Sequence, residues 1–265
     1  MLKFYQQKNF LNGFIELIKN CNRKILEIYN KDFKITYKDD KSPLTNADLE
    51  SNKIICEYLT LLNKNLKDEI NDDFLIISEE NKNINYDLRQ KYNYTWLVDP
   101  IDGTKEFLKK NGQFTVNIGL CLNSIPIFGI VSIPVSGEIY YGIEGVGSFK
   151  IDNNETTKLD IPEKDLNKEG MNIVASSSHM SDETKTHINQ YKNPKLLNIG
   201  SSIKLLYIAE NKADIYPRFG PTYEWDTCAA HAVVKYANGK VVNTESKEEL
   251  IYNKENLLNP FFLVY

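Results

Sequence analysis

In residues 96–107, WLVDPIDGTKEF, an apolar strand-forming run ends abruptly in two aspartates three apart, followed by glycine, threonine and a short helical pattern. Such a run belongs in the interior of a sheet, so the chain must carry Asp99 and Asp102 at the end of a buried strand. Pro100 fixes the chain direction between them, and Gly103 permits a close backbone approach. The two carboxylates and the intervening Ile101 carbonyl can then face one point, and hard cations such as Mg2+ take such oxygen ligands. Taken alone, an Asp-Gly pair is ordinarily a turn. A second apolar run, residues 74–77, ends in Ser78, Glu79 and Glu80, and Asp226 opens a helical pattern in EWDTCAAHAVV. Each acid could be structural alone, since carboxylates favour helix N-termini. Together they suggest a carboxylate cage for more than one cation.

Residues 102–107 also begin a helical turn, whose free N–H groups favour an anion. Metal-holding carboxylates beside such donors have the composition of a phosphate-ester site. Paired metals there polarise the phosphoryl group, activate water and neutralise the leaving oxygen. Glu79 and Thr104 are candidates to orient that water.

Apolar spacing predicts a long amphipathic helix over residues 4–30 and a strand at Phe33, Ile35 and Tyr37. A second helix is expected over residues 45–62, capped by Thr45 or Asn46, with Asp48 in its first turn. Residues 94–98 read as a strand, and the polar stretch 81–93 as a surface excursion with scope for mobility. Residues 115–122, 127–133 and 138–143 read as an antiparallel meander. Gly142, Gly145 and Gly147 mark a hairpin or bulge there rather than a phosphate loop. Residues 151–170 read as a polar linker. Beyond it, the strands MNIVASS, KLLNIG and ADIYP alternate with helical patterns at 181–191, 201–211 and 225–238. The first half thus looks α+β, the second α/β.

The 265 residues suffice for one large domain or two halves sharing an interface. Net charge is −4 with both signs interleaved, which argues against a nucleic-acid or membrane-surface role. An anionic ligand would then be drawn by bound cations. Cys21, Cys56, Cys121 and Cys228 are far apart and read as reduced thiols. With no signal-peptide core and no membrane-spanning run, the expected location is the cytoplasm, with peripheral association with the inner face of the membrane left open. Oligomeric state is not legible.

SPLTNAD, ISEE, WLVDPIDGTKEF and EWDTCAAHAV stand in the order and at the spacing of the inositol monophosphatase-like, lithium-sensitive, metal-dependent phosphatases, which nearly the whole chain resembles. Within them, KEF, GQFTVNIGL and GSSIKLLYIAENKADIYPRFGPTYEWD look like the CysQ-type 3'(2'),5'-bisphosphate nucleotidases. The resemblance implies a layered αβαβα sandwich. An α+β half over residues 1–150 would carry most metal ligands. An α/β half over 151–265 would carry nucleotide contacts and the last ligand, with the site between them. It implies two or three Mg2+ held by Glu79, Asp99, the Ile101 carbonyl, Asp102 and Asp226, with Asp48 near a weaker position and Thr104 paired with Glu79 to activate water. The cleaved phosphate would sit against Ile101, Asp102, Gly103 and Thr104, and the rest of the nucleotide on His179, Ser201, Lys204 and Arg218. Those relatives often carry a basic residue shortly before the histidine, where this chain has Ser177. The implied reaction removes the 3'-phosphate of adenosine 3',5'-bisphosphate or of 3'-phosphoadenylyl sulfate, a step of sulfur assimilation, with lithium as inhibitor. Two alternatives share these motifs: an inositol or sugar phosphatase, and a non-catalytic nucleotide or metal sensor.

Overall fold

The structure, a computed structural model, describes residues 3–31, 35–37, 43–82, 84–176 and 180–265. After a 3-10 turn at Phe4–Gln6, α1 (Lys8–Tyr29) buries Phe10, Phe14, Leu17, Ile18, Cys21 and Ile25, the stripe expected of its spacing. Strand β1 (Ile35–Tyr37) pairs antiparallel with β2 (Pro43–Thr45), which leads directly into α2 (Asn46–Ile70). Thr45 caps α2, its hydroxyl accepting from the Ala47 N–H at 3.1 Å. α2 extends eight residues past the expected Leu62, because residues 63–70 contain no breaker. It stops at Asn71, which adopts the left-handed conformation at φ 56°.

β3 (Phe74–Ser78) is followed by α3 (Tyr86–Arg89), so the expected polar excursion is structured. Arg89 is buried, donating to the Asn253 side chain at 2.8 Å and the Glu255 carbonyl at 2.6 Å. β4 (Tyr94–Asp102) and α4 (Thr104–Leu108) precede the meander β5 (Thr115–Leu122), β6 (Ile125–Ile133) and β7 (Glu138–Ile143). The expected linker is partly a hairpin: β8 (Gly147–Asp152) and β9 (Glu155–Leu159) extend the same sheet. Its strand order is β3-β4-β5-β6-β7-β8-β9, with only β3 and β4 parallel.

The remaining elements are β10 (Asn172–Ser176), α5 (Asp182–Ile188), β11 (Lys195–Ile199), α6 (Ile203–Ala209), β12 (Tyr216–Arg218), α7 (Glu224–Lys235), β13 (Val241–Asn243) and β14 (Phe262–Val264). α1 and α2 cover one face of the large sheet around Trp96, Val98 and Phe128. α6 and α7 cover the other. Beyond them lie the parallel pair β10–β11 and the sheet β12-β14-β13, with α5 packed outside through Ile188, Met171 and Ile215. The layers are therefore αβαβα.

α7 lies unusually deep on the large sheet. Gly119, Gly129 and Gly142 are successive cross-strand partners on β5, β6 and β7. A Cβ on Gly129 would come within 2.2 Å of the Ala229 carbonyl oxygen, and one on Gly142 within 2.4 Å of that of Ala232. The Ser148 hydroxyl continues the row by donating to the Val233 carbonyl at 2.7 Å. Overpacking of this kind is destabilising. Gly129→Val is expected to lower the urea-derived unfolding free energy by on the order of 3 kcal/mol. Leu61→Ala, at a side chain 62% exposed, should stay within about 0.5 kcal/mol.

Candidate active site

One irregularity in β4 brings the carboxylates together. Asp99 pairs with Asn117 and Asp102 with Thr115, so three steps along β4 stand against two along β5. Such a bulge returns residues three apart to one face of the sheet. Pro100 falls within it, a position where a missing N–H is tolerated. The strand therefore runs on to Asp102 instead of ending at Val98. Glu79 follows β3, its N–H bonded to the Val98 carbonyl at 3.1 Å. Asp226, third residue of α7, is delivered from the opposite side by the helix on the glycine row.

A cavity of about 390 Å³ is lined by Glu79, Asp99, Ile101, Asp102, Gly103, Thr104, Ser201, Lys204, Arg218 and Asp226, among others. Asp48 stands behind Thr104, whose hydroxyl lies 3.4 Å from Asp48 Oδ1 and 3.4 Å from the Ile101 carbonyl. Asp48 Oδ2 accepts from the Thr45 N–H and hydroxyl, closing the capping box. Gly103 has φ 93°, and a Cβ there would meet the Gln113 carbonyl oxygen at 3.2 Å and Ser201 Cβ at 3.3 Å. Only glycine suits this turn. The sequence-expected His179 lies outside the described residues.

Asp102 is held from the far half of the chain. Ser201 is left-handed at φ 57°, which delays the start of α6 from the expected residue 201 to Ile203. It also lets the Ser201 hydroxyl and the Ser202 N–H both donate to Asp102 Oδ2, at 2.6 and 2.5 Å. Sequence reasoning missed the support beneath this contact. The Thr115 hydroxyl lies 2.7 Å from that of Ser201 and 2.8 Å from that of Ser202. Asn117 bonds both Thr115 and Ser202. Thr115 and Asn117 are fully buried and two residues apart on an otherwise apolar strand. Two polar side chains on one face of such a strand are the signal that could have found them.

The electrostatics are those of crowded like charge. Burial, and then the charges of Glu79, Asp102, Asp226 and Asp48, push the Asp99 carboxyl well above its ordinary range. Burial, then Asp102 and Glu79, do the same to Asp226. Asp102 is raised by burial against the opposing pull of Lys204 and its serine donors, and Asp48 is raised chiefly by burial. Lys204 is a buried cation, not the solvated surface charge that an isolated lysine usually is. Its Nζ donates to the Ser201 carbonyl at 2.5 Å and lies 5.5 Å from the centre of the Tyr216 ring. Burial pushes its ammonium down to about 8. Arg218 donates from Nη2 to the Pro221 carbonyl at 2.8 Å, while its buried Nε has no partner among the described residues.

Does this donor set fit a cation? Among the described residues, protein donors engage only one oxygen each of Asp99 (Ile101 N–H, 3.0 Å), Asp102, and Asp226 (Tyr223 N–H, 2.9 Å). The second oxygen of each remains available, and several carboxylates in one cleft suit a hard divalent ion. Among the described residues, no three acidic, histidine or cysteine side chains are gathered as a finished metal cage. The fit is therefore one of donor chemistry and concentrated negative charge, not of preformed coordination. His231 takes no part: it is fully buried, bonded to the Tyr252 hydroxyl at 2.9 Å, and burial pushes it down to about 3.

Comparison with known proteins gives a consistent result. The model of the inositol monophosphatase family matches residues 6–260. The 3'(2'),5'-bisphosphate nucleotidase CysQ of Salmonella typhimurium is 36% identical over 256 residues, 96% of this chain and 98% of that protein. The enzyme of that name from Buchnera aphidicola is 36% identical over 236 residues, 88% of this chain and 84% of that protein. The crystal structure of CysQ from Bacteroides thetaiotaomicron, described as a bacterial member of the inositol monophosphatase family, superposes with a TM-score of 0.83. It is 37% identical, covering 99% of this chain and 98% of that one.

The crowding has a measurable consequence. A carboxyl whose folded pKa is raised adds stability at low pH, where both states hold the proton. That stability is lost as pH climbs above the ordinary 3.8, because the unfolded chain releases its proton first. In chelator at pH 7, Asp99→Asn should therefore melt above the wild type, with the gap narrowing towards acid pH in a thermal-melt series.

Proposed function

The chain belongs to the inositol monophosphatase family, and from that premise we propose that its cleft is the active site of a Mg2+-dependent 3'(2'),5'-bisphosphate nucleotidase. The substrate is adenosine 3',5'-bisphosphate, cleaved to AMP and phosphate, or 3'-phosphoadenylyl sulfate. One observation carries the reading. A single cleft sets a group of carboxylates beside two cations, Lys204 and Arg218, the charge division suited to a substrate with one phosphate to be cleaved and another to be held. Relatives named as such nucleotidases, aligned over almost their whole length, support it.

Glu79, Asp99, the Ile101 carbonyl, Asp102 and Asp226 are the residues that would hold two or three Mg2+, with Asp48 near the weakest position. When bound, such ions supply positive charge to the phosphoryl oxygens and lower the pKa of an attacking water. The chain's own groups do the positioning. Thr104 points its hydroxyl hydrogen towards Asp48 and the Ile101 carbonyl, which leaves its lone pairs to receive a water that Glu79 orients. Gly103 keeps the wall at residues 101–104 free of a side chain where the cleaved phosphate lies. Lys204 offers a compact charge and Arg218 a planar fork to the phosphate that stays, with Ser201 between them and the carboxylates. In this reading the half up to residue 150 brings most metal ligands, and the half after it brings the nucleotide contacts and Asp226. The protein works in the cytoplasm, in keeping with four free cysteines. Among the described residues no helix is long and apolar enough to cross a membrane.

Phosphate release from adenosine 3',5'-bisphosphate should require Mg2+, vanish in EDTA and fall with lithium, while inositol monophosphate and fructose 1,6-bisphosphate react poorly. Preferred turnover of either of the latter would refute the substrate assignment. Lys204→Ala should raise KM for the bisphosphate roughly tenfold, about the loss of one charge-assisted hydrogen bond, and affect 3'-AMP much less. Because the Lys204 charge is full below about pH 8 and is lost as pH rises through it, wild-type kcat/KM should decline there relative to Lys204→Arg.

A further inference from the structure

Part of the cleft lining is used neither by the metal ligands nor by the phosphate contacts. Tyr223, the residue before α7, belongs to this part and is 45% exposed. Its ring lies nearly parallel to that of Trp225, with centroids 4.8 Å apart and planes at 11°. Trp225 is buried, so one face of the tyrosine is covered from beneath. The exposed surface belongs to the other face and the ring edge.

The backbone that presents this ring is tied down on every side. The Tyr223 N–H donates to Asp226 at 2.9 Å, and its carbonyl accepts from Asn259 Nδ2 at 2.8 Å. Tyr223 forms an antiparallel bridge with Leu258. The flanking Thr222 carbonyl and Glu224 N–H bond Asn259 and Leu257, at 2.8 and 3.0 Å. A rigid aromatic plate loses little conformational entropy when a flat partner settles on it. Its place along the chain matters equally. Arg218 grips the Pro221 carbonyl two residues before Tyr223, and Asp226 follows three residues after it. Tyr223 thus lies in the chain between Arg218 and Asp226 and lines the same cleft as both.

We propose that Tyr223 is the platform on which the purine base of the substrate stacks, which makes it a specificity residue. The proposal rests on the nucleotidase reading above. A nucleotide with one phosphate at the carboxylates and the other at Lys204 and Arg218 has only its base left to place, and among the aromatic rings lining the cleft Tyr223 is the exposed one, Tyr216, Trp225 and Phe262 being buried. Stacking recognises the π-face of a base rather than its hydrogen-bonding edge, so adenine and guanine are received alike. The phenolic hydroxyl is not required.

The test compares kcat/KM for adenosine 3',5'-bisphosphate with that for its abasic analogue, methyl ribofuranoside 3,5-bisphosphate, in wild type, Tyr223→Phe and Tyr223→Ala, all with Mg2+. Wild type and Tyr223→Phe should prefer the nucleotide by about tenfold or more, the magnitude of base–aromatic stacking. In Tyr223→Ala that preference should collapse towards unity, mostly through KM. Equal losses on both substrates would mark Tyr223 as a structural support and overturn the proposal, as would a preference that survives Tyr223→Ala. Failure of the underlying reading looks different. A wild type that cleaves neither compound but does cleave inositol monophosphate or fructose 1,6-bisphosphate would overturn both.

Discussion

The site depends on how closely α7 can approach the large sheet. Three glycines in register on β5, β6 and β7 leave a strip without side chains, and the backbone of the helix rests on it. Ala229 and Ala232 complete the contact from the helix side, so main chain meets main chain at a separation that no larger residue allows. This depth sets the height of Asp226 relative to Asp99 and Asp102. A methyl group on the strip would lift the helix, and the last carboxylate would rise with it. Packing here is thus not separate from chemistry, because the dense core contact fixes the spacing of charges.

That spacing is opposed by electrostatics. Several carboxylates in one partly buried cleft repel one another, and burial discourages their charged forms further. Among the described residues the fold answers with hydrogen-bond donors: the Thr45 cap on Asp48, the serine pair on Asp102 and the Tyr223 N–H on Asp226. The buried ammonium of Lys204 compensates from a greater distance. Negative charge concentrated in this way is unfavourable for a protein alone and suits the binding of divalent cations.

The parts legible in the sequence were those written in local pattern. Apolar runs ending in Glu79 and Asp99, the helix opening at Asp226 and the Thr45 cap all follow from neighbours within a few residues. The bulge in β4 was not legible, because it is a property of register against β5. The hairpin of β8 and β9 read as linker for a related reason: its outer strand is mostly exposed, so backbone pairing holds it without an apolar period. Gly142 was grouped with the turn glycines Gly145 and Gly147, yet it is a mid-strand contact for α7. Lys204 was identified by motif, but its burial follows from the tertiary packing of α6 and could not be seen in composition. Among the expected contacts, Asp48, Glu79, Ser201 and Arg218 stand at or beside one cleft.

The bond between Asp102 and the serine pair spans about a hundred residues of chain, and this orders events during synthesis. A ribosome-bound chain that has released all seven strands of the large sheet still lacks the donors for Asp102, the lysine and arginine, and the helix that fills the glycine strip. Its second sheet face is bare backbone and exposed apolar side chains such as Leu97 and Val131, the kind of surface that makes partly folded intermediates prone to association. Loop closure over such distances slows folding. The carboxylate cleft is therefore the last part of the molecule to exist, and a chain interrupted before residue 226 would be an unfinished core.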